Sequence, residues 1–345
     1  ISTNQFTVNA TSLDNRGGAM TASGSASNAL SVTDTLDNGG GGTLASNGDL
    51  TITASTFGNA GGTVQHAGQG DLTIDAATLH GAGGKLLSNG TLTLTGDDTD
   101  LSAGTTAAQR IAITTGALST AHGSLSASGS DPLALNVRGA FDNTAGTVVG
   151  NGALQIHAGT LLNQGGAVQA AGGAPLAVDV DGLLDNSQHG TLGSDGDLSL
   201  SAATLDNRQG SVTHAGHGTL TIAATTLNGS GGTIGSNGAL ILTGNTTDLS
   251  GGTTQAESIL ITTGALNTSG GQVSALGGDP LQVNVSGLFN NTGGEIVGNG
   301  ALALNAGAFT NAHGRLIAAG AGATNVRVTG ALDNTGGVFA STGAT

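Results

Sequence analysis

Residues 184–207, LDNSQHGTLGSDGDLSLSAATLDN, contain one complete repeating unit and the start of the next. The unit opens on Leu-Asp-Asn, passes through glycine-containing turns, alternates apolar and polar residues at Leu198, Ser199 and Leu200, and returns to Leu-Asp-Asn. Alternation with a period of two is typical of a strand that buries one face, whereas an amphipathic helix repeats its apolar residues every three or four positions. The unit therefore predicts short strands separated by bends.

Similar units follow one another along the whole chain, and most are 20–23 residues long. Their predicted starts are Leu13, Leu36, Phe57, Leu79, Leu101, Leu118, Phe141, Leu161, Leu184, Leu205, Leu227, Leu249, Leu266, Phe289, Phe309 and Leu332. The units that begin at Leu101 and Leu249 are short, at 17 residues. Tandem units of this length are typical of solenoid proteins.

A longer repeat lies over the short one. The chain matches itself without gaps at an offset of 148 residues, so that Leu36 returns as Leu184 and Phe141 returns as Phe289. Seven units have therefore been duplicated as a block. A solenoid grows longer on duplication without a change of fold, whereas a domain with one unique active site rarely tolerates it.

These patterns predict an all-β chain that folds as a right-handed parallel β-helix of about 16 rungs, one rung for each unit. We expect a single β-helical segment over residues 1–345, as a fragment of a longer chain. Three inward-facing columns should form its core. They are the leading Leu or Phe of each unit, a second column such as Val64, and a third of paired residues such as Leu154 and Ile156.

Asparagine recurs at the third position of the unit. A stacked column of asparagine side chains can form hydrogen bonds from rung to rung, and asparagine also suits tight bends. We predict interruptions of the column, with a local change of cross-section, at Gly81, Ala103, Thr120, Gly229, Gly251 and Thr268. The predicted structural ladder consists of Asn15, Asn38, Asn59, Asn143, Asn163, Asn186, Asn207, Asn291, Asn311 and Asn334.

Composition excludes several classes of function. Seven Lys and Arg oppose 22 Asp and Glu, for a net charge of −15, so we expect no binding to nucleic acid. Cysteine is absent, which excludes disulfides and thiolate metal sites. No apolar run is long enough to span a membrane, and residues 1–30 lack the pattern of a signal peptide.

Two groups of side chains contain residue types that bind metal ions. His66 and His214 occupy equivalent places in the two blocks, and His217 follows the second of them, but no third ligand is apparent, so exposed turn residues are the simpler interpretation. Asp97 and Asp98, with Asp100, make an acidic segment that we expect to be a solvated turn rather than a calcium site. No metal or cofactor site is predicted.

Asp179 and Asp181 are the strongest candidates for catalysis. Their neighbours Val178 and Val180 should point inward, which places both carboxylates outward at about 7 Å, within the range of inverting glycosidases. The chain has no Trp or Tyr to hold a sugar ring. Their equivalents in the second block are Arg327 and Thr329. We therefore predict no catalytic residue and no enzyme activity.

The sequence resembles a known family. Leu184-Asp185-Asn186, then Leu198-Ser199-Leu200, then Leu205-Asp206-Asn207, is similar to the haemagglutinin repeat of filamentous haemagglutinin and its relatives. These are exoproteins of Gram-negative two-partner secretion, and they include contact-dependent growth-inhibition toxins. The resemblance covers essentially the whole chain.

The resemblance implies a secreted protein at the bacterial cell surface, exported by a dedicated outer-membrane transporter. It implies a stalk that acts in adhesion or presents a toxin to neighbouring cells, with receptors on a host cell or neighbouring bacterium contacted by other parts of the chain. A receptor- or glycan-binding β-helix module is the alternative, and a polysaccharide-cleaving β-helix enzyme is a third. Exposed positions rich in Thr, Ser, Asn and Ala favour a spacer over a binding face.

Overall fold

The computed structural model describes residues 1–342, which consist of short β-strands and turns without a helix. The described residues form two compact units, 1–174 and 175–342. None of the described residues belongs to a helix that could cross a membrane. That residues 1–345 make one uninterrupted segment stays a prediction.

In the first unit, each rung contributes one short strand to a first sheet and a longer or divided strand to a second. The short strands are β1 (Ser2–Thr3), β4 (Ala19–Ala22), β7 (Thr43–Ser46), β9 (Thr63–His66), β11 (Lys85–Ser88), β14 (Thr105–Ala108), β17 (Ser124–Ala127), β19 (Thr147–Gly150) and β21 (Ala167–Ala170). The second sheet contains β2 (Thr7–Ala10), β3 (Leu13–Asp14), β5 (Asn28–Val32), β6 (Thr35–Asp37), β8 (Leu50–Gly58), β10 (Asp71–His80), β12 (Thr91–Thr95), β13 (Asp98–Asp100), β15 (Arg110–Thr115), β16 (Ala117–Ser119), β18 (Leu133–Asp142) and β20 (Leu154–Leu162).

The second unit repeats this arrangement. Its short strands are β23 (Thr191–Ser194), β25 (Ser211–His214), β27 (Thr233–Ser236), β29 (Thr253–Ala256), β32 (Gln272–Ala275), β34 (Glu295–Gly298), β36 (Arg315–Ala318) and β39 (Val338–Ser341). The other strands are β22 (Leu176–Asp185), β24 (Leu198–Asp206), β26 (Thr219–Asn228), β28 (Ala239–Asp248), β30 (Ser258–Thr263), β31 (Ala265–Asn267), β33 (Leu281–Asn290), β35 (Leu302–Thr310), β37 (Thr324–Val328) and β38 (Leu332–Asp333).

Strands pair in parallel with the equivalent strand of the next rung. β8 pairs with β10 from Leu50 opposite Leu72 to Gly58 opposite His80, and β24 pairs with β26 in the same way. Parallel pairing of residues one unit apart is the defining feature of a β-solenoid. The chain makes about 16 such rungs of about 21 residues, which confirms the predicted fold class.

The core consists of the predicted columns. Phe57, Val64 and Leu154 represent the three columns, and each is completely buried. Between them, outward residues such as Thr51 and Thr53 are exposed, as the period-two pattern requires. In the second unit the leading column includes two phenylalanine rings, Phe289 and Phe309, that stack with centroids 4.8 Å apart.

The register corrects the predicted start at Leu101. Thr99 lies opposite Leu79 on one side and Leu118 on the other, so Thr99 occupies the leading column. Leu101 comes two residues later, is buried, and fills the column of the asparagines. The interruption predicted at Ala103 therefore falls at Leu101.

The second block carries the same correction. Thr247 lies opposite Leu227 and Leu266, and Leu249 fills the asparagine column in place of the predicted Gly251. The spacing is therefore 20 and then 19 residues, where the sequence suggested a unit of 17.

Buried hydroxyl pairs explain how threonine replaces leucine in the leading column. The Thr99 and Thr115 hydroxyls lie 3.1 Å apart, and Thr247 donates to Thr263 at 3.1 Å. Each hydroxyl thus has a partner, which avoids the penalty for a buried polar group. The second-sheet strand is divided near these positions, as β12 with β13, β15 with β16, and β30 with β31.

Replacing Ile52 with alanine should destabilise the chain by about 2–5 kcal/mol, because Ile52 is completely buried between neighbouring rungs. Urea unfolding measures the loss. Hydrogen exchange should accelerate mainly in the adjoining rungs, since solenoid rungs contact only their neighbours.

The matched control is the exposed neighbour Thr53, whose replacement with alanine should change stability by less than about 0.5 kcal/mol. Equal losses for the two variants would contradict the inward and outward assignment.

Candidate functional site

In most rungs a tight turn of four residues opens on the asparagine position, two residues after the leading residue. In the turn that begins at Asn59, the Gly62 amide donates to the Asn59 carbonyl at 2.9 Å, and Gly61 has a φ of 64°. A Cβ at Gly62 would collide with the Asn38 carbonyl of the preceding rung. The fourth position is therefore glycine because the backbones of two rungs approach closely there.

The asparagine side chains form hydrogen bonds from one rung to the next. Asn15 Nδ2 donates to Asn38 Oδ1 at 2.7 Å, and Asn38 donates to Asn59 at 2.8 Å. The same bond, at 2.7 Å, joins Asn143 to Asn163, Asn186 to Asn207, Asn291 to Asn311, and Asn311 to Asn334.

Backbone carbonyls complete the environment of each amide. Asn38 Nδ2 also lies 3.2 Å from the carbonyl oxygens of Gly42 and Thr63. Eight of the ten asparagines that begin these turns have no measurable exposure, Asn15 is 8% exposed, and Asn334 is exposed. Buried amides that bond to each other and to the backbone stabilise the turns and are closed to a ligand.

The column is interrupted where the asparagine is replaced. Gly81 and Leu101 have no side-chain amide. Thr120 restores the column, because its hydroxyl donates a hydrogen bond to Asn143 Oδ1 at 2.7 Å. Thr268 donates to Asn291 in the same way, at 2.8 Å. Threonine thus serves as the first donor of a new run of asparagines.

Two histidines interpreted as exposed turn residues lie in the core, so that interpretation is wrong. His66 is 1% exposed and its Nδ1 lies 2.9 Å from Ser88 Oγ, and His214 is 2% exposed with Nδ1 2.8 Å from Ser236 Oγ. Within residues 1–342 neither Nε2 atom has a hydrogen-bond partner. His217 is exposed, so it does not share a metal-accessible face with His214.

The period-two pattern of the strands contains the signal that these histidines point inward. His66 follows Val64 by two residues, and His214 follows Val212 by two, so each shares the inward face of its strand. The column they occupy contains alanine, serine or glycine in most other rungs, which made an imidazole there unexpected.

The acidic candidates do not form a shared site. Asp97 pairs with Arg138 at 2.8 Å, while Asp98 and Asp100 belong to β13 rather than to a turn. Asp100 Oδ1 accepts a hydrogen bond from the Ser102 amide at 2.9 Å, which stabilises the bend that follows. Within residues 1–342 no group of three or more histidines and carboxylates is arranged to hold a metal ion.

Asp179 and Asp181 are both exposed, and Val178 and Val180 beside them are buried, as predicted. The pairing of β22 with β24 shifts register directly after Val180. The pair thus lies beside an irregularity of the strand.

Comparison with known proteins supplies the family. The family model for the haemagglutinin repeat matches seven overlapping segments, residues 1–40, 25–77, 67–131, 130–174, 173–225, 215–293 and 276–336. The chain belongs to the haemagglutinin-repeat family. No curated protein matches this haemagglutinin-repeat chain, and no solved structure matches it.

Members of the haemagglutinin-repeat family are typically secreted or cell-surface bacterial proteins and are usually exported by two-partner systems. The matches extend over nearly the whole chain, so the repeat accounts for both blocks.

Replacing Asn38 with alanine should destabilise the chain by about 2–4 kcal/mol, because it removes a buried amide and leaves groups on Asn15 and Asn59 without their partner. Denaturant unfolding measures the loss. The control is the exposed residue Asn47, which bonds to the Ser23 carbonyl at 2.9 Å and should cost less than about 1 kcal/mol when changed to alanine. Similar losses at the two positions would contradict a stabilising role for the column.

Acid should destabilise the haemagglutinin-repeat chain through its two buried histidines. Burial lowers the pKa of His66 and of His214 below the usual 6.5, although nearby carboxylates oppose the shift. The unfolded chain therefore binds more protons than the folded chain below pH 6.5, and stability falls as pH decreases through that value.

Thermal unfolding between pH 7.5 and 5 tests this. Replacing both histidines with alanine, which occupies the column at Ala108, should weaken the pH dependence in this range. Replacing the exposed Asn47 with alanine, which removes no titratable group, should leave it unchanged. An unaltered pH dependence in the double variant would contradict the prediction.

Proposed function

We propose that this chain is part of the stalk of a secreted filamentous exoprotein that acts in adhesion or presents a contact-dependent toxin to neighbouring cells. One observation carries the proposal. Within each unit, the rungs pair in parallel with the rung before and the rung after, such as β8 with β10 and β24 with β26. Rungs can then be added or removed in whole blocks without a new fold, which suits a spacer of adjustable length.

The outward surface supports a spacer. Exposed residues of the longer strands are mostly small and polar, such as Thr51, Thr53, Ser199 and Ser201. Binding surfaces of high affinity usually centre on buried aromatic or arginine anchors. The chain has no Trp or Tyr, and its phenylalanines lie largely in the core.

The partners in this proposal are an outer-membrane transporter of a Gram-negative cell during export, and a receptor on a host cell or neighbouring bacterium. Other parts of the exoprotein would contact the receptor. The proposal includes no enzymatic step, because Asp179 and Asp181 are replaced by Arg327 and Thr329 in the second block.

Deleting residues 37–184 from the parent exoprotein tests the stalk. The deletion removes 148 residues and joins Leu36 to Asp185, which restores the Leu-Asp-Asn motif. Export and surface display should remain at their usual level, and the filament seen by electron microscopy should shorten by seven rungs, or about 34 Å. Loss of target-cell binding despite normal display would indicate instead that this segment is itself the binding module.

A second measurement separates the two roles. Killing of neighbouring cells that lack a matched immunity protein, by cells displaying the parent exoprotein, supports a toxin stalk. Loss of host-cell adhesion when the filament is deleted, without killing, supports an adhesin shaft. Release of reducing ends from polysaccharide by the purified chain would contradict the non-enzymatic assignment.

A further inference from the structure

The second unit contains a groove of about 710 Å³ on its outer surface. It lies at the bend of the second sheet, where the pairing of β33 with β35 shifts register between Val285 and Leu288. Small residues such as Gly264 and Gly307 line it and leave the surface concave. The groove extends over several successive rungs.

One wall of the groove is a column of polar side chains. Thr262 lies opposite Asn284, Asn284 opposite Asn305, and Asn305 opposite Arg327. Neighbouring members are about 4.8 Å apart, so the column extends over roughly 14 Å. Asn305 Nδ2 donates to Asn284 Oδ1 at 2.9 Å, which fixes the orientation of both amides. Amide and hydroxyl groups in a row can bond to successive hydroxyls of an extended ligand.

Arg327 is the unusual member of this column. Each of the other five arginines of the chain pairs with a carboxylate, at 2.5–3.5 Å. Arg327 is exposed, and among residues 1–342 it forms no ion pair or hydrogen bond. The groove has no Asp or Glu in its lining. The chain has a net charge of −15, so few of its surfaces attract an anion. The unpaired guanidinium in this concave surface can form charge-assisted hydrogen bonds to the carboxylate of a ligand.

The first block shows how the same bend is covered. There the Arg138 guanidinium pairs with Asp97 at 2.8 Å, and it would lie 3.5 Å from a Cβ on Gly116. At the positions 148 residues later, Ser286 replaces Arg138 and Asn245 replaces Asp97. The second block has therefore lost the ion pair that covers the bend.

The charge of the column has also been reversed. The residue 148 positions before Arg327 is Asp179, and the residue 148 positions before Asn305 is His157. An acidic position has thus become basic at the same place in the repeat. Loss of the covering pair and gain of a cation both favour an anionic ligand in the second block alone.

We propose that this groove binds a carboxylate-bearing oligosaccharide. Arg327 pairs with a carboxylate, and the Thr262, Asn284 and Asn305 side chains bond to sugar hydroxyls. A peptide strand fits less well, because the backbone of β33 and β35 is already paired from rung to rung and offers no free edge. Neutral sugars would lack the charged contact, and the chain has no Trp or Tyr to stack against their rings.

The purified chain titrated with tetragalacturonic acid tests the proposal, with binding followed by NMR at the Asn284 and Asn305 side-chain amides. One exposed charge-assisted contact with several hydroxyl contacts corresponds to a Kd of about 1 mM. Maltotetraose, a neutral tetrasaccharide, should bind at least tenfold more weakly. Raising the salt concentration should weaken the acidic ligand, because the ion pair is exposed.

Arg327→Asp restores the charge found in the first block and should reduce affinity at least tenfold, while Arg327→Lys should have a smaller effect. Arg110→Ala is the matched control, since Arg110 is an exposed arginine in the other unit and pairs with Asp131. The affinity of the Arg110→Ala variant for the acidic tetrasaccharide should be unchanged.

A second variant rebuilds the cover without altering Arg327. Asn245→Asp combined with Ser286→Arg recreates the Asp97–Arg138 pair over Gly264 and should abolish binding while circular dichroism remains unchanged. Retained binding in both variants would overturn the proposal, and so would the absence of saturable binding up to about 20 mM ligand. These outcomes are independent of the stalk role, because the measurement uses the isolated chain.

Discussion

Parallel hydrogen bonding between successive rungs is the constraint on which the rest of the structure depends. It places equivalent residues of neighbouring rungs directly against one another, so each inward side chain must be compatible with its own kind above and below. Leucine, valine and phenylalanine satisfy this condition by packing. Asparagine satisfies it because its amide donates to one neighbour and accepts from the other, as Asn38 does between Asn15 and Asn59. Glycine at the fourth turn position follows from the same close approach.

The sequence predicted the fold class and most of the core because the repeated pattern averages over many units. It failed where one residue in a column differs from the others. The sequence pattern predicts Leu101 as a leading residue, yet the strands on either side set a register in which Thr99 leads. The hydroxyl of Thr115 makes that choice possible, and it lies 16 residues away. Such a pairing is not visible in a local pattern.

The candidate sites also differ in whether the repeat pattern of the sequence could place them. The period-two pattern contained enough information to place His66 inside, since it shares a face with Val64. The groove near Arg327 could not be found in this way, because its existence depends on the absence of an ion pair between residues 41 positions apart, Asp97 and Arg138 in the first block. Duplication preserves the core and leaves such outward pairs free to diverge. Differences between the two blocks are therefore the best guide to surface chemistry in this repeat.

The interrupted asparagine column has a mechanical consequence. Hydrogen bonds between rungs run along the stacking direction, so tension in that direction loads the interfaces within a unit in series, and the weakest interface determines the strength of the whole. Among the described residues, the interfaces from Asn59 through Gly81 and Leu101 to Thr120, and from Asn207 through Gly229 and Leu249 to Thr268, lack the side-chain hydrogen bond that joins neighbouring asparagines elsewhere. A pulled unit would part at these positions first. The runs of asparagine on either side would remain intact and could guide the separated strands back into register when the force is released.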